Sequence, residues 1–217
     1  MFHKPVRPPA IATLTPLRLY SLFFSLGQTL PINRHPPWRP RGINQPSMNH
    51  AVTLLNDPYN SWIHIFPEAR IYQAPSLPMR FFKMGISKLI LEPETPPIVI
   101  PMFHSGMETV MKENQVPSQV LPSTGKDIHV RFGDPIPAHV LERLREKWAK
   151  VKEHPTKGDL RALRVETTEI VREAVNQVRA SMGFPPEPPN SNDPKIFPPI
   201  TAPPKKDVQR WFNRLRK

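Results

Sequence analysis

Proline placement is the tightest constraint on what this chain can fold into. Thirty-one prolines against eight glycines is well above the usual proline share of about 5%, and each proline fixes φ and removes a backbone donor. Regular helix and sheet are therefore excluded from the densest stretches, residues 1–16, 35–46 and 184–204. Between the last two stretches prolines stop apolar runs, at Pro67, Pro96, Pro97 and Pro101, or open a helix, at Pro137. They read there as punctuation. The 217 residues suffice for one domain with tails. The organisation read is an unassigned Pro-rich N-terminus (1–16), a folded unit (17–183), a Pro-rich linker (184–206) and a short basic tail (207–217). In the tail Val208, Trp211, Phe212 and Leu215 fall at helical spacing among Lys and Arg. That pattern suits an anionic membrane surface, a partner groove or a plain basic end equally.

Charge narrows the partner class. The formal net charge is +12, and residues 1–56 hold no acidic side chain, while Lys4, Arg7, Arg18, Arg34, Arg39 and Arg41 are basic. An anionic partner follows, either nucleic acid or acidic lipid head groups. The nucleic-acid reading rests on charge alone, since no zinc-finger or RNA-binding signature is present, and no specific nucleic acid is expected. No run of about 20 apolar residues occurs, so membrane contact is expected to be peripheral and interfacial. Cysteine is absent, which removes thiolate nucleophiles and cysteine metal sites; neither metal nor cofactor is expected. A transit peptide has the composition of the N-terminus. For residues 1–16 the favoured reading is a start foreign to the rest of the chain, from displaced initiation or a mis-joined exon.

The most informative stretch is Trp62-Ile63-His64-Ile65-Phe66-Pro67-Glu68-Ala69-Arg70. An apolar run stopped by proline reads as a buried strand ending in a charged turn. Open α/β sheets place ligands beyond the carboxyl ends of strands, which makes Glu68 and Arg70 candidates. Thr29-Leu30-Pro31-Ile32 reads as a shorter strand delivering Arg34, whose guanidinium suits paired hydrogen bonds to phosphate. Ile98-Val99-Ile100 is a β-branched run expected to be buried on both faces and closed by Pro101. Residues 127–133 form a further strand. Helices are expected after a Ser47 cap, over residues 79–91, after Pro137, and after an Asp159 cap as far as Gly183. Arg80, Lys83 and Lys88 are expected on a solvated face. The class is α/β.

Several blocks in order resemble the glycerolipid acyltransferases, and among them the tafazzin family of phospholipid-lysophospholipid transacylases. Phe66-Pro67-Glu68-Ala69-Arg70 is similar to that superfamily's F-P-E-G-x-R block. Further blocks run from Phe23-Phe24-Ser25-Leu26-Gly27-Gln28 to Pro31 and Arg34, from Met79 to Ile90, and from Ile98 to Met107. His104 lies in a segment similar to the family's W-H-x-G-M, where a structural role is the expectation. The resemblance covers roughly residues 19–182. It implies an incomplete acyltransferase fold, a central mostly parallel sheet flanked by helices. It also implies Arg34 on the lipid phosphate, Phe66, Pro67, Glu68 and Arg70 around the glycerophosphate, and Pro101 closing the last block. The implied partners are phospholipids and lysophospholipids, namely cardiolipin, monolysocardiolipin and phosphatidylcholine. The implied setting is mitochondrial membrane facing the intermembrane space, with acyl transfer that uses no coenzyme A.

Two departures from the family pattern matter. Ala69 stands where the family usually has glycine, which costs backbone freedom if a positive φ is required. The superfamily's H-x4-D dyad, a general base and its orienting acid, is expected before the arginine block, and residues 1–33 contain none. His129 and Asp134 match the spacing but lie on a strand, about 16 Å apart at about 3.3 Å per residue and on opposite faces. They are read as a decoy, so no catalytic residue is assigned. General base catalysis contributes about 10²–10⁴-fold, hence the expectation of an N-terminally truncated tafazzin-like acyltransferase with little turnover. The alternative is a non-catalytic protein binding anionic lipid or membrane. A missing N-terminal segment is also expected to leave sheet uncovered.

Overall fold

The computed structural model describes residues 22, 24–30, 42–57, 62–69, 71–74, 76–112, 122–193 and 195. Arg34, Arg70 and the basic tail at 207–217 lie outside the described residues. The elements are α1 (Pro46–Leu55), α2 (Gly85–Leu91), β1 (Met102–Ser105), the single turn α3 (Met107–Val110), β2 (His129–Phe132), α4 (Ala138–Glu153) and α5 (Lys157–Ser181).

Short as it is, α2 is where the layers meet. Every residue from Ile86 to Leu91 is buried, and α2 touches α1, α4 and α5. Consecutive helical residues point about 100° apart, so neighbours in sequence enter different parts of the core. Ile86 and Ile90 pack with Met79, Phe82, Ile136, Leu141 and Val171. Leu91 joins Leu144, Trp148 and Leu163 from α4 and α5. Leu89 joins Met48 and Ala51 of α1. The predicted stripes on α4 and α5 are those that face inward, with Leu141, Leu144 and Trp148 buried on one and Leu163, Val171 and Val178 on the other.

Sequence periodicity placed several details differently. Lys88 is buried rather than solvated, its ammonium 2.9 Å from Glu92, while Arg164 of α5 reaches the same carboxylate at 2.8 Å. Burial pushes the Glu92 pKa up, but hydrogen bonds from Arg164 and Lys88 outweigh it and hold the carboxyl below its usual range. Arg80 is also buried; of the three expected cations only Lys83 is exposed. The cap of α5 is Thr156, whose hydroxyl oxygen accepts the Asp159 N–H at 3.1 Å. Asp159 sits at the third helical position, and its carboxylate accepts from the Thr156 hydroxyl at 2.6 Å. At α1 the cap position is Gln45, whose side chain does not cap the helix N-terminus, and Pro46 opens the helix in place of a Ser47 cap.

The mostly parallel central sheet is corrected. Among the described residues the sheet is two-stranded and antiparallel, with Met102 opposite Phe132 and His104 opposite Val130. The pairing runs on past Pro101, which accepts the Gly133 N–H at 2.9 Å, to Val99, which accepts that of Ile136 at 2.9 Å. Pro101 thus precedes a strand rather than closing one. Residues 62–66 are extended but join no ladder. Ile98 and Ile100, expected to be buried, are 79% and 54% exposed, whereas Val99 packs on the core. A run that is apolar at every position looks the same whether one face is covered or two.

Residues 79–84 are not helical, and α2 begins only at Gly85. Their backbone is claimed by tertiary partners. Met79 N–H donates to Glu187 at 3.0 Å and Arg80 N–H to Glu68 at 3.0 Å. Lys83 N–H donates to Pro67 C=O at 2.8 Å. Arg172 and Arg179, seven residues apart on one face of α5, complete the binding of this strip. Arg172 donates to Met79 and Arg80 C=O and to Ser191 Oγ. Arg179, 1% exposed, donates to Ser76, Leu77 and Pro185 C=O. Glu187 balances both charges, at 3.4 Å from Arg172 and 3.2 Å from Arg179.

Replacing Arg179 by Met takes its donors from three carbonyls and removes one of the two guanidiniums that balance Glu187. A loss of about 3–5 kcal/mol is expected in urea unfolding, partly restored when Glu187→Gln is added. An unchanged unfolding midpoint would refute the role given to the pair.

Candidate functional site

The Phe66-Pro67-Glu68 turn grows out of an extended segment with alternating sides. Ile63 and Ile65 face the core, while Trp62 and Phe66 are 82% and 60% exposed. Ala69 closes the turn by donating to Phe66 C=O at 3.0 Å. Its φ is +54°, the left-handed region in which glycine has no steric cost. The alanine therefore strains the turn at the position where glycine is usual.

Glu68 turns inward. Its carboxylate accepts the Arg80 N–H at 3.0 Å, and with the bond from Lys83 to Pro67 this pins the turn to residues 80–83 at two points. Burial pushes its pKa up; the Arg80 backbone bond and the charges of Arg80 and Arg172 pull it down, and Glu187 adds to the rise. The net shift is upward. Glu68 thus holds the turn in shape and faces the arginines of the interior. Pro101 is buried in the antiparallel pairing.

What faces outward is aromatic and apolar. His64 and Phe66 rings lie 4.5 Å apart, Trp62 is 6.3 Å from His64, and Phe66 meets the His104 ring edge-on at 6.1 Å. His104 belongs to β1, on the strand face that carries Ile98, Ile100 and Met102. Across the ladder stand Ile128, Val130 and Phe132, all exposed. The turn and the β1–β2 sheet therefore share an open surface, with His64 and His104 as its polar side chains. A continuous apolar surface of this kind marks an interaction site more often than a single exposed leucine does.

His104 is held in this surface by the turn after β1. Gly106 has φ +94°, and a Cβ there would lie 2.0 Å from Asp127 O, so only glycine fits. Both Glu108 oxygens accept the Gly106 N–H, at 3.0 and 2.9 Å. The imidazole pKa is lowered, first by burial and further by His64, with Glu108 opposing.

His129 lies on β2 and Asp134 in the coil beyond it, both exposed. The same spacing occurs a second time, at His154 and Asp159, which the strand-and-turn reading missed. There Asp159 accepts from the Thr156 hydroxyl at 2.6 Å at the N-terminal cap of α5. Among the described residues no three His, Cys, Asp or Glu side chains converge as metal ligands would.

No family model matches the chain. Over 126 residues, 54% of the chain, it is 38% identical to tafazzin of Saccharomyces cerevisiae, covering 32% of that protein. Over 120 residues it is 36% identical to N-acylphosphatidylethanolamine synthase of Arabidopsis thaliana, covering 39% of it. A protein named taffazin from Dictyostelium discoideum is 36% identical over 121 residues, 38% of its length. The chain thus spans about a third of the relatives it matches, and over half of its own length it is tafazzin-like.

Two outcomes test the turn. Ala69→Gly relieves the left-handed strain and is expected to raise stability by about 0.5–1 kcal/mol in urea unfolding; a loss would show the strain absent. Because folding raises the Glu68 pKa, its contribution to stability is present below the unfolded pKa near 4.5 and is lost as pH rises through the folded value. Glu68→Gln keeps an acceptor for Arg80. Its stability relative to the parent (variant minus parent) is expected to rise from pH 4 to pH 7.5, and a difference that stays constant or falls over that range would contradict the inward, desolvated carboxylate.

Proposed function

We propose that this tafazzin-like chain binds glycerophospholipid as part of an acyl-transfer unit and turns it over slowly. The similarity to tafazzins and to an N-acylphosphatidylethanolamine synthase over half of the chain carries the reading. The name of the Arabidopsis thaliana relative, a synthase of an N-acylated phospholipid, points to acyl chemistry on phospholipid. The open apolar surface beside the Phe66-Pro67-Glu68 turn supports it, because a lipid substrate needs an uncharged face next to polar groups. In this reading Arg34 and Arg70 bind phosphate, while Phe66, Pro67, Glu68 and Pro101 shape the turn and sheet around the glycerol region.

Acyl transfer between lipids needs a base to take the proton of the attacking hydroxyl while the acyl ester releases its own oxygen. Neither His129–Asp134 nor His154–Asp159 supports that task. The first pair is exposed on and beyond β2, and Asp159 of the second is engaged in a helix cap. The proposed substrates are phosphatidylcholine and monolysocardiolipin, with cardiolipin the product of remodelling, at a mitochondrial membrane facing the intermembrane space. Among the described residues no helix is long and apolar enough to cross a membrane, in keeping with peripheral contact. A second reading, a non-catalytic binder of anionic membrane, is favoured by the net charge of +12.

Liposomes containing labelled phosphatidylcholine and monolysocardiolipin separate these readings. Flotation with the vesicles and a transfer rate at least about 100-fold below that of an active tafazzin are expected. Robust transfer would overturn the claim of slow turnover, and failure to float would overturn lipid binding. A chain ending at Pro204 that floats like the full chain would place binding on the folded part rather than the tail.

A further inference from the structure

His104 occupies an unusual place on the open surface. Of its two ring nitrogens, Nδ1 alone is cut off from solvent without a hydrogen-bond partner. A buried N–H left without an acceptor is costlier than a buried lone pair left without a donor. The proton of the neutral ring therefore sits on Nε2, the nitrogen left available to a ligand, and the tautomer is set by the environment of the other nitrogen. Burial lowers the imidazole pKa and so favours the neutral ring, which lies beside Phe66, edge-on at 6.1 Å, and Phe103 at 6.5 Å.

The neighbours narrow what such a donor can meet. Val130 stands directly opposite His104 on β2, and Met102 and Phe132 form the next pair on the same face. Val130 and Phe132 are 52% and 65% exposed. Glu108, the nearest acid, spends both oxygens on Gly106 N–H, and His64 is the other titratable group acting on the ring. A neutral donor set among apolar side chains suits a neutral acceptor flanked by hydrocarbon, and it suits a phosphodiester anion poorly, since a phosphate calls for cations.

We propose that His104 is a substrate-binding residue whose Nε2–H donates to the ester carbonyl oxygen of a bound glycerophospholipid, with the acyl chain along the apolar face of β1 and β2. The assignment rests on the lipid-binding reading above and adds the atom of the lipid that is recognised. It differs from the structural role that the sequence suggests for this histidine.

Side-chain geometry supplies the test. Gln carries its amide nitrogen where the imidazole has Nε2, Asn carries it where the imidazole has Nδ1, and Phe keeps the ring without a donor. The full chain and its His104→Gln, His104→Asn and His104→Phe variants are titrated with dihexanoyl phosphatidylcholine and with its dihexyl ether analogue, below their micellar concentrations. The ether has the same head group and no carbonyl. The parent and His104→Gln are expected to bind the ester about five-fold more tightly than the ether, the effect of one neutral hydrogen bond. In the Asn and Phe variants that preference is expected to vanish. Long-range proton–nitrogen NMR of the free parent reads the tautomer independently of variant folding, and Nε2–H is the expected form. Equal affinity of the parent for ester and ether, an Nδ1–H tautomer, or a preference retained by a folded His104→Phe overturns the assignment while leaving lipid binding intact. Binding of neither lipid overturns both.

Discussion

Two arginines on one face of α5 hold the molecule's functional strip in place. Arg172 and Arg179 are buried, and they give their donors to the carbonyls of Ser76, Leu77, Met79 and Arg80. A guanidinium has five donors in a planar fork and stays charged, so one side chain can satisfy several carbonyls that no ladder reaches. Glu187 supplies the opposing charge, drawing residues 184–191 of the Pro-rich stretch against α5. Without that network the strip from 76 to 83 would have to find its hydrogen bonds in helix or sheet, and the Phe66-Pro67-Glu68 turn, pinned to the same strip, would lose its shape.

The chemistry is split between two sides of this strip. Facing inward, Glu68 and the arginines form a charged interior whose polar groups are spent on structure. Facing outward, the turn and the sheet present aromatic rings, β-branched side chains and two imidazoles. A carboxylate in a Phe-Pro-Glu turn looks catalytic or ligand-facing in one dimension. In three dimensions it braces the turn, and the groups that remain available to a ligand are those the motif leaves unmentioned, such as His104. The left-handed Ala69 and the glycine demanded at Gly106, with Ser76 and Leu77 also at positive φ, mark points at which the backbone bends around this strip.

Legibility from sequence followed the physics of each signal. The amphipathic stripes of α4 and α5 were readable because a 3.6-residue period survives any packing partner, and Leu144, Trp148, Leu163 and Val171 lie where the period puts them. Gly183 ends α5 with φ +85° as a C-terminal stop should. The buried cations were not readable. Lys88, Arg80, Arg172 and Arg179 look like solvated charges in a helical wheel, and only partners distant in sequence make their burial tolerable. Residues 79–83 have helical apolar spacing, yet tertiary hydrogen bonds claim their backbone first. The sheet was misjudged because pairing direction is a long-range property and Ile98-Val99-Ile100 is apolar at every position.

Sequence by itself determined the family likeness, the helical stripes, the absence of thiol chemistry and the place of the turn, since each depends on residue identity or on spacing within one segment. Only the tertiary structure decided which way Glu68 points, that the strands run antiparallel with one face open, and that His104 has one nitrogen sealed and one free. Those outcomes depend on which distant segments meet, and burial, dielectric and hydrogen-bond partnership are fixed only when they do.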